Sequence, residues 1–147
     1  MEGLYLGSVG AAYTRTSLKL RKITHILTLC DCLPPKFPGE FNYKVIEVLD
    51  DPSVRLSAHF RETGEFINAA IREGGQVLVH CFAGVSRSAT VVIAYLIAYH
   101  QMSYKDAFAL VQNRRPWINP NPGFCAQLRR YETWLKEQQS KSAKQDS

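Results

Sequence analysis

A chain of 147 residues with 46% apolar content falls in the range of one soluble domain, long enough to bury a core without disulfides or metal. No apolar run reaches membrane-span length, and the first ten residues lack both a signal-peptide pattern and the second-position glycine that myristoylation requires, so no membrane anchor is expected and the compartment is expected to be cytoplasm or nucleus. The net charge of +5 favours anionic partners in general, but Lys and Arg are scattered in doublets rather than gathered in a basic arm, so no nucleic-acid partner is expected.

In chain order, residues 4–6 form a short apolar run expected to be a strand, and residues 11–20 a short helix. Further strands are expected at residues 25–30 and 43–49, bounded by Gly, Pro, Asp or charged residues. Residues 57–72 place Phe60, Ile67 and Ile71 near one helical face, with Ser57 as N-cap and Gly74-Gly75 ending the helix. Residues 76–80 read as a fourth, buried strand, and residues 88–99, apolar almost all round, as a buried central helix. Ser103 and Asp106 resemble a capping box opening a helix that Arg115-Pro116 stops.

The turn Asn119-Pro120-Asn121-Pro122-Gly123 precedes a last amphipathic helix in which Leu128, Tyr131 and Leu135 share a face. Trp117 and Phe124 are expected in the core. Polar residues 136–147 read as a fraying helix end and then a disordered tail, giving a domain at 1–138 and a tail at 139–147. Strands alternating with helices, then a helical second half, define an α/β fold with a central sheet flanked by helices.

Of the four cysteines, Cys30, Cys32 and Cys125 carry no motif: Cys30 is expected to end a buried strand and Cys125 to sit on a helix. The Cys30-Asp31-Cys32 run has no second Cys or His pair at zinc-ligand spacing, so no metal is expected. Cys81 differs. It opens the segment Cys81, Phe82, Ala83, Gly84, Val85, Ser86 and Arg87, which must form a tight loop between the buried strand and the buried helix. Such a loop aims backbone N–H groups inward, and the helix adds its positive end, making an anion cradle. Gly84 permits a backbone conformation closed to other residues.

The same donors that favour a phosphate favour a thiolate at Cys81, a nucleophile. Arg87 offers a planar fork that grips two phosphate oxygens and opposes their charge during phosphoryl transfer, a geometry Lys lacks. Ser88 is placed to donate a hydrogen bond to the sulfur. His80 is expected to orient the loop through hydrogen bonds rather than to act as a base. The Gly-Lys-Ser/Thr ending of a nucleotide-binding loop is absent, and a thiol protease has no use for Arg87.

The stretch "HCFAGVSRS" resembles the signature loop of cysteine-dependent protein phosphatases. The likeness extends from "GLYLGS" through "THIL", "RP" and "NPNPGF" to "QLRRYE" and is to the small atypical dual-specificity branch, a catalytic domain alone. The resemblance implies a protein tyrosine phosphatase-like fold with a central mixed, mostly parallel sheet. It implies hydrolysis of phosphotyrosine and phosphoserine/phosphothreonine in phosphoprotein substrates through a cysteinyl-phosphate intermediate, with no cofactor. It also implies that Asn121, in the "PN-x-GF" turn, packs under the signature loop and braces it.

A monoester leaves readily only if its oxygen is protonated, so a carboxylic acid is required nearby. Asp31, Glu40, Glu47, Asp50, Asp51 and Asp106 are candidates; Glu47 lies in a strand pattern and Asp106 in a cap. Asp50 and Asp51 end the third strand before Pro52, where a loop can bend over a site. Lined up on "LSAHF", the family resemblance puts the acid on Asp50, with Asp51 one position away.

Two other classes remain compatible with the loop: a phosphoinositide or RNA 5′ phosphatase, and a non-catalytic phosphoprotein-binding module. The uncharged Phe82, Ala83, Val85 and Ser86 favour a substrate bearing one phosphate. A thiolate at Cys81 also oxidises readily, and sequence alone leaves open which of Cys30, Cys32 and Cys125 reaches it.

Overall fold

The computed structural model describes residues 2–145. Strands β1 (Leu4–Gly7), β2 (His25–Leu29), β3 (Asn42–Ile46) and β4 (Val77–His80) form one sheet in the order β1-β4-β2-β3, parallel at all three pairings. β4 is interior and buried along its whole length. Val77 and Val79, with Leu27 and Leu29 of β2, face one apolar cluster, while Leu78 and Ile26 face the other. A parallel strand covered on both faces needs a continuous apolar run, which is what residues 77–79 supply.

Two short helices, α1 (Val9–Ala12) and α2 (Arg15–Leu20), cover the Leu78 face through Ala12 and Leu18. The other face carries α3 (Phe60–Arg72), α4 (Arg87–Tyr99), α5 (Tyr104–Arg114) and α6 (Pro122–Gln145). Helix α4 packs against the other three and the sheet, and every residue from 88 to 97 is buried. Its all-round apolar sequence follows from that position. The strand-to-helix loop at residues 81–86 is thereby clamped between two buried elements.

Several boundaries differ from expectation for local reasons. Residues 11–20 are divided between α1 and α2, because Thr14 is extended (φ −115°, ψ 100°) and its hydroxyl donates back to the Gly10 carbonyl. The third strand stops at Ile46, whose carbonyl accepts from the Cys30 N–H. Ser57 is not a cap. It lies in a 3-10 turn, Leu56–His59, that precedes α3, and its N–H donates to Gln127 Oε1 at 2.9 Å. Ser103 does cap α5, accepting from the Asp106 N–H at 3.1 Å.

Phe124 is fully buried, but Trp117 is 59% exposed. The Arg115 guanidinium lies 4.7 Å from the Trp117 ring centroid, so a cation rather than the core covers that face. Helix α6 continues through residues 139–145 of the segment assigned from composition to a tail; residues 146–147 lie outside the described ones. Lys, Gln and Ala there are good helix formers, and just before that segment Lys136 lies one turn from Glu132 at 3.7 Å.

Candidate active site

The loop between β4 and α4 owes its shape to what holds its carbonyls. The Phe82 carbonyl accepts from the Val9 N–H at 2.9 Å, and the Ala83 and Gly84 carbonyls accept from Arg115 Nη2 and Nε at 3.3 and 2.9 Å. The Val85 carbonyl accepts from the Asn119 N–H at 2.9 Å, and the Ser86 carbonyl from both the N–H and hydroxyl of Thr90. The Cys81 carbonyl accepts from His80 Nδ1 at 3.2 Å. Every carbonyl from 81 to 86 is thus engaged by a partner outside the loop, which fixes the peptide planes and leaves the N–H groups as donors for an anion.

Gly84 has φ +70°, and a Cβ there would lie 2.6 Å from both the Gly7 carbonyl oxygen and Arg115 Nη2. Only glycine fits. Arg115 was legible only as a helix stop before Pro116. Burial pulls its pKa down, an effect partly opposed by the negative charge of a Cys81 thiolate.

Cys81 is buried, and its sulfur lies 3.3 Å from the Gly84 N–H and 3.0 Å from Ser88 Oγ. Both partners are donors suited to a thiolate. His80 is buried beside Thr28, its cross-strand partner in the β2–β4 register, with Nε2 2.7 Å from the Thr28 hydroxyl. Burial lowers the His80 pKa and favours the neutral ring, an effect partly opposed by its bond to the Cys81 carbonyl. A neutral ring donating Nδ1–H to that carbonyl leaves Nε2 to accept from Thr28. His80 therefore holds the Cys81 peptide in place.

Arg87 opens α4. Its Nη1 donates to the Val48 carbonyl at 3.0 Å and lies 3.4 Å from Asp31 Oδ1. Its Nε is buried and has no partner among the described residues. A buried guanidinium donor without an acceptor carries a desolvation penalty of at least about 1–3 kcal/mol. That donor is available to an oxygen of an anion seated in the loop.

Asp50 and Asp51 are both exposed, and their partners distinguish them. Asp51 Oδ1 accepts from the Ser53 hydroxyl and N–H at 2.6 and 2.8 Å, contacts that lower its pKa and make it a poor proton donor. Asp50 Oδ1 accepts one bond, from Asn121 Nδ2 at 2.9 Å. Asn121 is also the N-cap of α6: its Oδ1 accepts from the Phe124 N–H at 2.9 Å, with Pro122 at the first helical position. Its own N–H donates to Ser86 Oγ at 3.0 Å. The Asn121 backbone thus braces the phosphate loop while its side chain holds Asp50, a second link the sequence did not reveal.

Two further α6 residues hold the segment that carries Asp50. Gln127 accepts from the Ser57 N–H and donates to the Val54 carbonyl at 2.8 Å. A Cβ on Gly123 would overlap the Pro52 carbonyl, so the loop packs directly on α6 backbone. Gly123→Ala is expected to push this loop outward. Steady-state kinetics should show kcat lowered by roughly tenfold or more, with inorganic phosphate inhibition unchanged because residues 81–87 are untouched. An unchanged kcat would show that the Pro52 contact does not position the loop.

A cysteine at the foot of an amide-lined loop, an arginine with a free buried donor at its end and a carboxylate on a facing loop together define the cysteine-dependent phosphatase class. The family model "Dual specificity phosphatase, catalytic domain" matches residues 4–134. The chain belongs to that family and is by that membership a dual-specificity protein phosphatase. It is 48% identical to Dual specificity protein phosphatase 1B of Arabidopsis thaliana, over 89% of this chain and 78% of that protein. It is 39% identical to human Dual specificity protein phosphatase 22, over the whole of this chain and 84% of that one. The chain spans 64% of Dual specificity protein phosphatase 1 from Arabidopsis thaliana and 16% of a Dictyostelium discoideum MAP kinase phosphatase with leucine-rich repeats. The crystal structure of human DUSP28 superposes with a TM-score of 0.89 at 38% identity, covering 94% of this chain and 96% of that one. Among the described residues no helix is long and apolar enough to cross a membrane.

Proposed function

We propose that residues 1–138 hydrolyse phosphotyrosine and phosphoserine/phosphothreonine in proteins, with the side chains in these roles. The Cys81 thiolate attacks phosphorus, the ester P–O bond breaks, and Asp50 delivers its proton to the leaving oxygen. Water then attacks the thiophosphate, Asp50 takes its proton, and the P–S bond breaks to release phosphate and regenerate the thiolate. The Ser88 hydroxyl steadies the departing sulfur. Arg87 and the loop N–H groups carry the phosphoryl charge through both steps. His80 and Asn121 position the loop, Asn121 also holding Asp50.

The observation that carries this reading is the outward engagement of all six loop carbonyls beside the unpartnered Arg87 Nε. It builds a cradle for one phosphate. Phe82 and Leu49, 58% and 55% exposed, put apolar surface at the loop and beside Asp50, which suits a peptide. A panel of phosphopeptides, phosphoinositides and RNA 5′ ends tests it. Turnover is expected on phosphotyrosine and phosphothreonine peptides; turnover confined to lipids or RNA would overturn the assignment.

Asp50→Asn tests the acid. Its kcat on phosphotyrosine peptide is expected to fall by about 10²–10⁴-fold. An aryl phosphate whose leaving group is stable as an anion should lose much less. If Asp51→Asn reproduces this pattern and Asp50→Asn does not, the role belongs to Asp51.

A further inference from the structure

Two thiols unused by the phosphatase chemistry stand together on the far side of the Arg87 ion pair. Cys30 follows β2 and is buried, Cys32 is exposed, and Asp31 lies between them. The two sulfurs and an Asp31 carboxylate oxygen all lie within 4.8 Å of one another. Cys30 Sγ is 3.6 Å from Asp31 Oδ1, the oxygen that also faces Arg87 Nη1. The three residues open onto a cavity of about 350 Å³, with Glu47 from the segment after β3 in its wall. The other two cysteines, Cys81 and Cys125, form no second pair at zinc-ligand spacing to close a four-sulfur site. The fold instead brings Glu47, from a neighbouring element, to the wall of the same cavity, outside the three-atom cluster.

We propose that Cys30, Asp31 and Cys32 bind a thiophilic divalent cation of the zinc class, with Glu47 as the candidate fourth ligand. Thiolate bonds of about 2.3 Å in a tetrahedral site put the two sulfurs about 3.7 Å apart, inside the 4.8 Å within which the ligand atoms now lie. Two thiolates with carboxylate oxygen make a donor set that prefers zinc or cadmium to calcium or magnesium. Each thiol loses its proton as its sulfur–metal bond forms, so two protons leave per cation and affinity rises with pH.

The test uses the reduced full chain carrying Cys81→Ser, so that the catalytic sulfur takes no metal, and follows cadmium by its thiolate charge-transfer absorbance. One saturable equivalent per chain is expected, tightening with pH. Adding Cys32→Ser should weaken binding by more than about 100-fold, beyond the loss from removing a supporting group, and reduce the absorbance. Adding Asp31→Asn should weaken binding while keeping the two-thiolate band. Both residues are exposed, so both variants are expected to fold. Adding Cys125→Ser should change nothing. Uptake unaffected by Cys32→Ser, abolished by Cys125→Ser, or never saturating would overturn the proposal.

Discussion

Cys81→Ser is expected to lose turnover on every substrate by on the order of 10⁴-fold or more, the scale of removing a nucleophile, while still binding inorganic phosphate. The two halves of that result have separate causes. A serine hydroxyl is far less acidic than a thiol, so the donors that suit a thiolate, the Gly84 N–H and Ser88 Oγ, do not generate an alkoxide. The cradle does not depend on the sulfur. Its carbonyls are held by Val9, Arg115, Asn119, Thr90 and His80, none of which the substitution touches. Phosphate affinity measured by calorimetry should therefore stay within a few-fold of that of the unsubstituted chain, and the variant should retain phosphopeptides for recovery. Comparable turnover by the two proteins would remove the cysteine from the mechanism. Loss of phosphate binding would instead mean that the loop shape depends on the sulfur.

The loop and its flanks were legible because one local pattern carries them. A buried strand, seven residues and a buried helix must make a tight turn, and the residue types at its ends state its chemistry. The supports of that turn were much less legible, for a physical reason: they reach it from distant positions, largely onto backbone groups of the loop. Arg115 reaches the loop across 31 residues and Asn121 reaches Asp50 across 71, and neither spacing has a period. The resemblance implies Asn121 as a brace, but only geometry shows that its amide also holds Asp50. Trp117 was misplaced because an aromatic beside an apolar helix reads as core unless the arginine stacked on it is seen. Thr14 divided the first helix because one side-chain bond to Gly10 outweighs a weak ten-residue propensity. Asp50 and Asp51 are nearly equivalent as letters; the Ser53 contacts that tie down Asp51 distinguish them in space.

Arg87→Lys is expected to be almost as damaging as loss of the cysteine, although charge is conserved. Nη1 of Arg87 is anchored to the Val48 carbonyl and faces Asp31, which leaves the buried Nε to meet a phosphate oxygen. One guanidinium thus spans an anchor and a ligand with donors rigidly coplanar. A lysine ammonium at the same place can satisfy the Val48 carbonyl or the phosphate, but its single nitrogen cannot hold both positions. kcat/KM should fall by about 10³-fold or more, the range for removing a donor to transition-state charge in phosphoryl transfer. Inorganic phosphate inhibition should weaken in parallel, in contrast with Cys81→Ser, since in the proposed mechanism Arg87 binds the anion and Cys81 reacts with it. Thermal unfolding separates this effect from misfolding: the Arg87 side chain is only 11% exposed, but lysine can keep one anchor, so a folded variant is expected. Activity within about tenfold of the unsubstituted chain would show that a point charge suffices and that the fork geometry is not what the site uses.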